Sequence, residues 1–275
     1  MLTVDSIISH QREWAAHESI AVGGYTETVE DNIFDHVLHP ETRKEYLKGE
    51  GHELEGKRAH MKALHSSSAL VVNVFDYWRR ENRIEEIAKS CGAQDTITTM
   101  EFEKTHQIGN VNRTPPHLDI EFGGQMPLAI ESKFTETYYR TTRRSEKDTH
   151  LHYYLAQDSI WEKLPKTKDL ALRIKHQSGT KTDFEYLDAP QLIKHILGLT
   201  HSPYTRFTLL YLWYRIDSDE AAQHEKEVKQ FSSAIKGEIS FRTMTYQDLF
   251  NKIKKIPNAS PDYLDYLNRR YFSLA

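Results

Sequence analysis

From residue 117 to residue 134 the chain alternates apolar and polar positions in two runs, separated by a short gap that contains two glycines. Leu118, Ile120 and Phe122 interleave with Asp119 and Glu121; after residues 123–127, Leu128, Ile130, Ser132 and Phe134 interleave with Ala129, Glu131 and Lys133. Side chains of a strand point to opposite faces in turn, so the spacing predicts a β-hairpin with its apolar set in a core and Asp119, Glu131 and Lys133 together on the other face. If the loop is symmetric about Gln125, antiparallel pairing sets Asp119 opposite Glu131, about 5 Å apart at Cβ. A one-residue slip would destroy the arrangement.

Elements on both sides of the hairpin follow from the same kind of reading. Residues 65–78 predict a Ser-capped helix with an apolar side, and residues 97–108 a strand. A helix is expected around residues 190–199 and a strand in the β-forming run 207–216. Toward the ends, residues 6–21 predict an amphipathic helix, 27–48 a polar stretch with isolated apolar anchors, 219–236 a charged helix, 239–253 a short strand leading into a helix, and 261–272 a final helix. No repeat or low-complexity linker interrupts them. The expected fold is one elaborated α/β domain with a mixed central sheet, made of a helical extension (1–60), a core (61–256) and a C-terminal helix (257–275).

Composition narrows the class without naming a chemistry. Hydrophobic residues at 38% and charged residues at 28% are an ordinary globular balance, which excludes wholesale disorder. The single cysteine, Cys91, excludes an internal disulfide and a cysteine zinc site. No run is long enough to span a membrane, and the opening Met-Leu-Thr-Val-Asp lacks the features of a signal peptide, so a cytoplasmic protein is expected. A net charge of −4 argues against a general polyanion coat and turns attention to local patches. Arg140, Arg143, Arg144 and Lys147, then Lys163, Lys166, Lys168, Arg173 and Lys175, form a basic region interleaved with Tyr138, Tyr139, Tyr153, Tyr154 and Trp161. It suits phosphates and unpaired bases; a solvated insertion, diluted by Glu136, Glu146 and Asp148, is the other reading.

The hairpin acids carry the chemistry. Two carboxylates held this close repel, and a shared proton or a bound cation relieves them. Magnesium takes oxygen ligands and typically one or two protein carboxylates, which leaves room for water and a phosphate oxygen. Lys133, on the same face, is placed to orient or deprotonate an attacking water and to stabilise charge on a phosphorane-like transition state. The set points to phosphodiester hydrolysis.

Pro116, followed after His117 and Leu118 by Asp119, and then Glu131-Ser132-Lys133, resemble the signature of the PD-(D/E)XK nucleases, the restriction-endonuclease-like superfamily. The order of helix, three strands, helix and strand is similar to that superfamily's core over residues 60–250, and the Ser-Ser, Asn73 and Phe75 run resembles a bacterial PDDEXK-like subgroup. The resemblance implies that Asp119 and Glu131 bind magnesium, that the Ser132 carbonyl adds a ligand and that Lys133 assists the water. It implies hydrolysis of DNA with no covalent enzyme intermediate, by an endonuclease of restriction or phage defence in which manganese substitutes for magnesium. An RNA-acting or structure-specific nuclease of the same fold, and a catalytically silent nucleic-acid-binding subunit, are the alternatives. Glu103, preferred over Glu101, is the expected third acid, and Glu121 a supporting or substrate-side group. Gln191, one helical turn before His195, and Arg143, Arg144 and Arg140 are expected to contact DNA. The first 60 residues read as a DNA-recognition element or a homodimer contact. Two further patterns are set aside: residues 51–57 have the glycine spacing of a phosphate loop, but Arg58 stands where Ser or Thr should, and His150 with His152 lack a third ligand.

Overall fold

The computed structural model describes residues 1–49, 52–56, 59–111, 113–140, 151–176 and 183–274. Ten helices occur among them: α1 (Val4–His17), α2 (Pro40–Lys48), α3 (Ser67–Arg80), α4 (Ile84–Ser90), α5 (Leu151–Leu155), α6 (Pro165–His176), α7 (Ala189–His201), α8 (Asp219–Ala234), α9 (Tyr246–Ile253) and α10 (Pro261–Leu267). Strands β1 (Ala21–Val22) and β2 (Tyr25–Thr26) make a small ribbon, while β3 (Ile97–Thr105), β4 (His117–Gly124), β5 (Leu128–Lys133), β6 (Thr208–Trp213) and β7 (Ser240–Thr245) form the central sheet in that order. The mixed α/β sheet expected from the sequence is therefore present. The pairs β3–β4 and β4–β5 are antiparallel, and β5–β6 and β6–β7 are parallel. Parallel neighbours need a crossover, which α7 supplies between β5 and β6 and α8 between β6 and β7.

Local chemistry explains most boundaries. The Ser66 hydroxyl accepts from the Ala69 N–H at 3.2 Å and starts α3, and Ser218, Thr245 and Ser260 cap α8, α9 and α10 in the same way. Strand β3 ends at Thr105, short of the expected residue 108. Where β4 turns into the hairpin, only glycine fits: a Cβ on Gly123 would stand 2.2 Å from Thr99 Oγ1, and one on Gly124 2.5 Å from the Thr96 carbonyl oxygen. The outer edge of β3 is covered by α2, whose Glu45 carboxylate accepts the Phe102 N–H at 3.1 Å.

Both sheet faces are buried. On the face of Ile120, Ile130 and Leu210, α3 and α9 pack, with Phe75 6.1 Å from Phe122 and the Ser132 hydroxyl 2.6 Å from that of Tyr246. On the opposite face, α7 lies over β5 and α8 over β6 and β7; Phe231 packs 5.2 Å from Phe241, and the Tyr211 hydroxyl is 2.9 Å from His224 Nε2. The two ends of the chain join this core. Arg270, fully buried in the π-helical segment Asn268–Phe272 that follows α10, donates to the Asn32 carbonyl at 2.8 Å, to Gln11 Oε1 at 3.2 Å and to the Tyr266 hydroxyl, and stacks 4.2 Å from the Trp14 ring. Asn73 of α3 donates to the same Asn32 carbonyl at 3.0 Å. Among the described residues no helix is long and apolar enough to cross a membrane.

Two outcomes test this packing. Arg270→Met removes the donors while keeping the bulk, leaves buried acceptors unpaired, and should cost about 2–4 kcal/mol in denaturant unfolding; an unchanged midpoint would contradict the bridging role. His224 is held to about 3 by burial, with the Lys133 charge adding to it. The unfolded chain then binds a proton that the fold refuses, so stability present above pH 6.5 is lost as the pH falls toward 3, at up to about 1.4 kcal/mol per unit. Unfolding free energies measured from pH 6.5 to 4.5 should fall less steeply in His224→Gln than in the wild type.

Candidate active site

The register Ile120↔Ile130, continued by one pair, brings Asp119 beside Glu131 as the symmetric loop demands. At that step the ladder changes character. The Ser132 N–H, instead of bonding to backbone, donates at 2.6 Å to Asp119 Oδ2. One residue further, on the face shared with Glu131, Lys133 Nζ donates to Glu131 Oε1 at 2.5 Å. Glu131 Oε2 lies 2.8 Å from Nε2 of His195 on α7, although neither atom has an aligned hydrogen-bond partner. Glu131 and His195 are each 1% exposed.

The electrostatics separate the two acids. Burial alone would raise the Glu131 carboxyl, but the charges of Lys133 and His195 bring it down to about 2. Asp119 is pushed well above the ordinary carboxylate range, first by burial and then by the charge of Glu131, against which Lys133 and the Ser132 N–H act in part. Lys133 is held above its usual value because Glu131, Glu136 and Asp119 outweigh its desolvation. One ammonium therefore serves two carboxylates, and the second is left to a proton or a cation.

Other acids crowd the same end of the sheet. Flanked by the pairs Phe102↔Ile120 and Lys104↔Leu118, Glu103 stands opposite Asp119 and is 3.2 Å from His117 Nδ1. Its φ of 54° lies in the left-handed region, a conformation costing about 1–3 kcal/mol for a side-chain-bearing residue and concentrated at functional sites. Glu53, from the loop before α3, has its carboxyl raised by burial and by Glu103, with Ser68 and His60 opposing. The buried Tyr46 hydroxyl has no partner, and after burial the acids Glu103, Asp119 and Glu53 push its ionisation up most. Among the described residues no group of three or more His, Cys, Asp or Glu is arranged to hold a metal ion, so a cation here would rest on Asp119 and Glu131 with oxygens from backbone, water or substrate.

The remaining candidates divide. Both oxygens of Glu121 are taken, by His106 Nε2 at 2.6 Å and by the Tyr204 hydroxyl at 2.6 Å. Glu101 pairs with Lys104. Gln191 is half-buried in the first turn of α7, its N–H capped by Asp188 at 3.0 Å, and it is His195 that reaches Glu131. Arg140 is exposed, 3.8 Å from Glu185; Arg143, Arg144, Lys147 and His150 lie outside the described residues. Sequence reading passed over Glu53 and Tyr46, since only the packing of α2 and a loop against β3 brings them to the site. His195 carried one signal, a polar residue within the apolar run Leu192, Ile193, Ile196 and Leu197.

A family model described as Restriction Endonuclease associating with ARP matches residues 5–272. No curated protein and no solved structure matches the chain.

The crowding of acids predicts that this cluster destabilises the fold. Asp119→Asn removes a disfavoured charge yet keeps an acceptor for the Ser132 N–H, and in the presence of chelator it should raise the melting temperature by about 2–4 °C, or about 1 kcal/mol. A lower melting temperature would show that the carboxylate supports the fold.

Proposed function

Because the chain belongs to the family of restriction endonucleases associating with ARP, we propose that it is a magnesium-dependent endonuclease hydrolysing DNA phosphodiester bonds in restriction or phage defence. Asp119, Glu131 and Lys133 are its catalytic set in this reading, with Glu103 beside them. The observation that carries it is the adjacent pair on neighbouring strands, a half-buried Asp119 and a buried Glu131, with Lys133 bonded to Glu131. The association with ARP in the family's description is proposed for this chain as well.

The donor set suits a hard cation. Asp119 and Glu131 offer carboxylate oxygens, and Ser132 adds its carbonyl: N–H and C=O of a strand residue point to one side, and the Ser132 N–H points at Asp119. The Ser132 hydroxyl is turned to the other face, onto Tyr246. Such a set matches the one or two carboxylates that magnesium takes from a protein. Magnesium, when bound, would supply positive charge for the scissile phosphate and lower the pKa of a water. With a cation on Glu131, Lys133 Nζ would be free to turn from Oε1 and, as an ammonium, to orient the attacking water and stabilise the added negative charge. Water attacks directly, and no protein nucleophile enters the bond. Gln191, Arg140, Arg143 and Arg144 are proposed to hold the DNA backbone.

Plasmid and oligonucleotide cleavage with and without magnesium tests this reading. Asp119→Ala and Glu131→Ala should abolish cutting, while Lys133→Ala should lose about 10²–10⁴-fold in rate with the ion still bound. Manganese should replace magnesium; calcium, which prefers more ligands and looser geometry, should support DNA binding and little cutting. Cleavage that survives chelation, or equal cleavage by the wild type and Lys133→Ala, would remove the hairpin as the active site.

A further inference from the structure

His195 occupies a position where a leucine would serve the core better. Its neighbours along α7, Leu192, Ile193, Ile196, Leu197 and Leu199, are all buried and apolar. Both ring nitrogens are buried without an aligned hydrogen-bond partner, an arrangement that costs about 1–3 kcal/mol per unsatisfied group. Among the described residues, the ring's close polar neighbour is Glu131 Oε2, 2.8 Å from Nε2. The carboxylate thus has two unlike flanks: Oε1 faces the long, flexible Lys133 side chain, and Oε2 faces a ring fixed in the middle of a helix. Glu121, two strand positions from Asp119, differs, for His106 and Tyr204 close both of its oxygens.

We infer that His195 is a positioning residue of the cation site, whose Nε2, 2.8 Å away, holds Glu131 Oε2 in place and leaves Oε1 as the single oxygen presented to the ion. The inference rests on the nuclease reading above. A carboxylate pinned at one oxygen binds in monodentate fashion, which suits octahedral magnesium or manganese; calcium, whose carboxylate ligands are often bidentate, gains less. Groups that orient a ligand in this way typically contribute about 10–100-fold to metal affinity. His195 therefore sets both the strength of the site and its preference for the smaller ions.

The test is titration calorimetry of manganese and calcium against the full chain, with melting temperatures in chelator measured in parallel. His195→Leu should bind manganese about 10–100-fold more weakly than the wild type, narrow the manganese-to-calcium preference, and melt no lower than the wild type. His195→Gln, whose amide nitrogen reaches the place of Nε2, should keep most of the affinity; His195→Asn, whose amide reaches only the place of Nδ1, should not. Leu binding manganese like the wild type, or Gln and Asn binding alike, would overturn the inference, and the Gln and Asn pair decides it even if the Leu variant does not fold. A different pattern marks failure of the underlying reading: wild-type protein that binds no divalent ion, together with Asp119→Ala that cleaves DNA as the wild type does.

Discussion

Two carboxylates and one ammonium share a largely buried corner of the sheet where β4 and β5 part. Asp119 and Glu131 are brought together by a register that the apolar residues on the opposite face enforce, since shifting either strand by one position would put Ile120 or Ile130 among charges and the acids into the core. Lys133 settles one of them. The other is left above its ordinary range, with Glu103 adding repulsion from the next strand. Natural folds tolerate such local instability at functional sites. The surrounding elements fix the cluster in place: α7 sets His195 against Glu131, α9 turns the Ser132 hydroxyl away through Tyr246, and α2 with its following loop closes over Glu103.

How much of this was legible follows from the range of the interactions involved. The hairpin and its pairing are local: the alternation and a loop symmetric about Gln125 specify them, and the structure keeps that register. The order of helix, three strands, helix and strand was likewise readable, because α3, α7 and the β6 run each carry their own caps or β-branched and aromatic residues. What escaped depends on distant packing. Glu103 could be placed on the right strand, but its left-handed backbone is imposed by its surroundings rather than by its own preference. Glu53 sat in a segment whose glycine spacing suggested only a polar loop, and nothing nearby in sequence says that it lies by Glu103. His195 was noticed for its spacing from Gln191, yet an isolated helix could not show which of the two faces the sheet.

The ends of the chain illustrate the same limit. Amphipathicity marks α1, and residues 261–272 read as a final helix, but that Arg270 would be buried whole between Trp14, Asn32 and Gln11 needs both ends folded at once. A guanidinium with no acid among its hydrogen-bond partners is satisfied here by carbonyl, amide and hydroxyl oxygens and by aromatic faces. Through Asn32 and Asn73 this network reaches α3, which backs the strands carrying the acids. The terminal segments thus share their core with the helix behind the site.

Crystals of the protein soaked in manganese decide whether the two acids hold a cation. An anomalous difference map should show one peak in contact with Asp119 and with Oε1 of Glu131, with Lys133 turned away and His195 still against Oε2. A peak held instead by Glu103 and Glu53, or soaked crystals that show Lys133 still on Glu131 and no ion beside it, would contradict that placement.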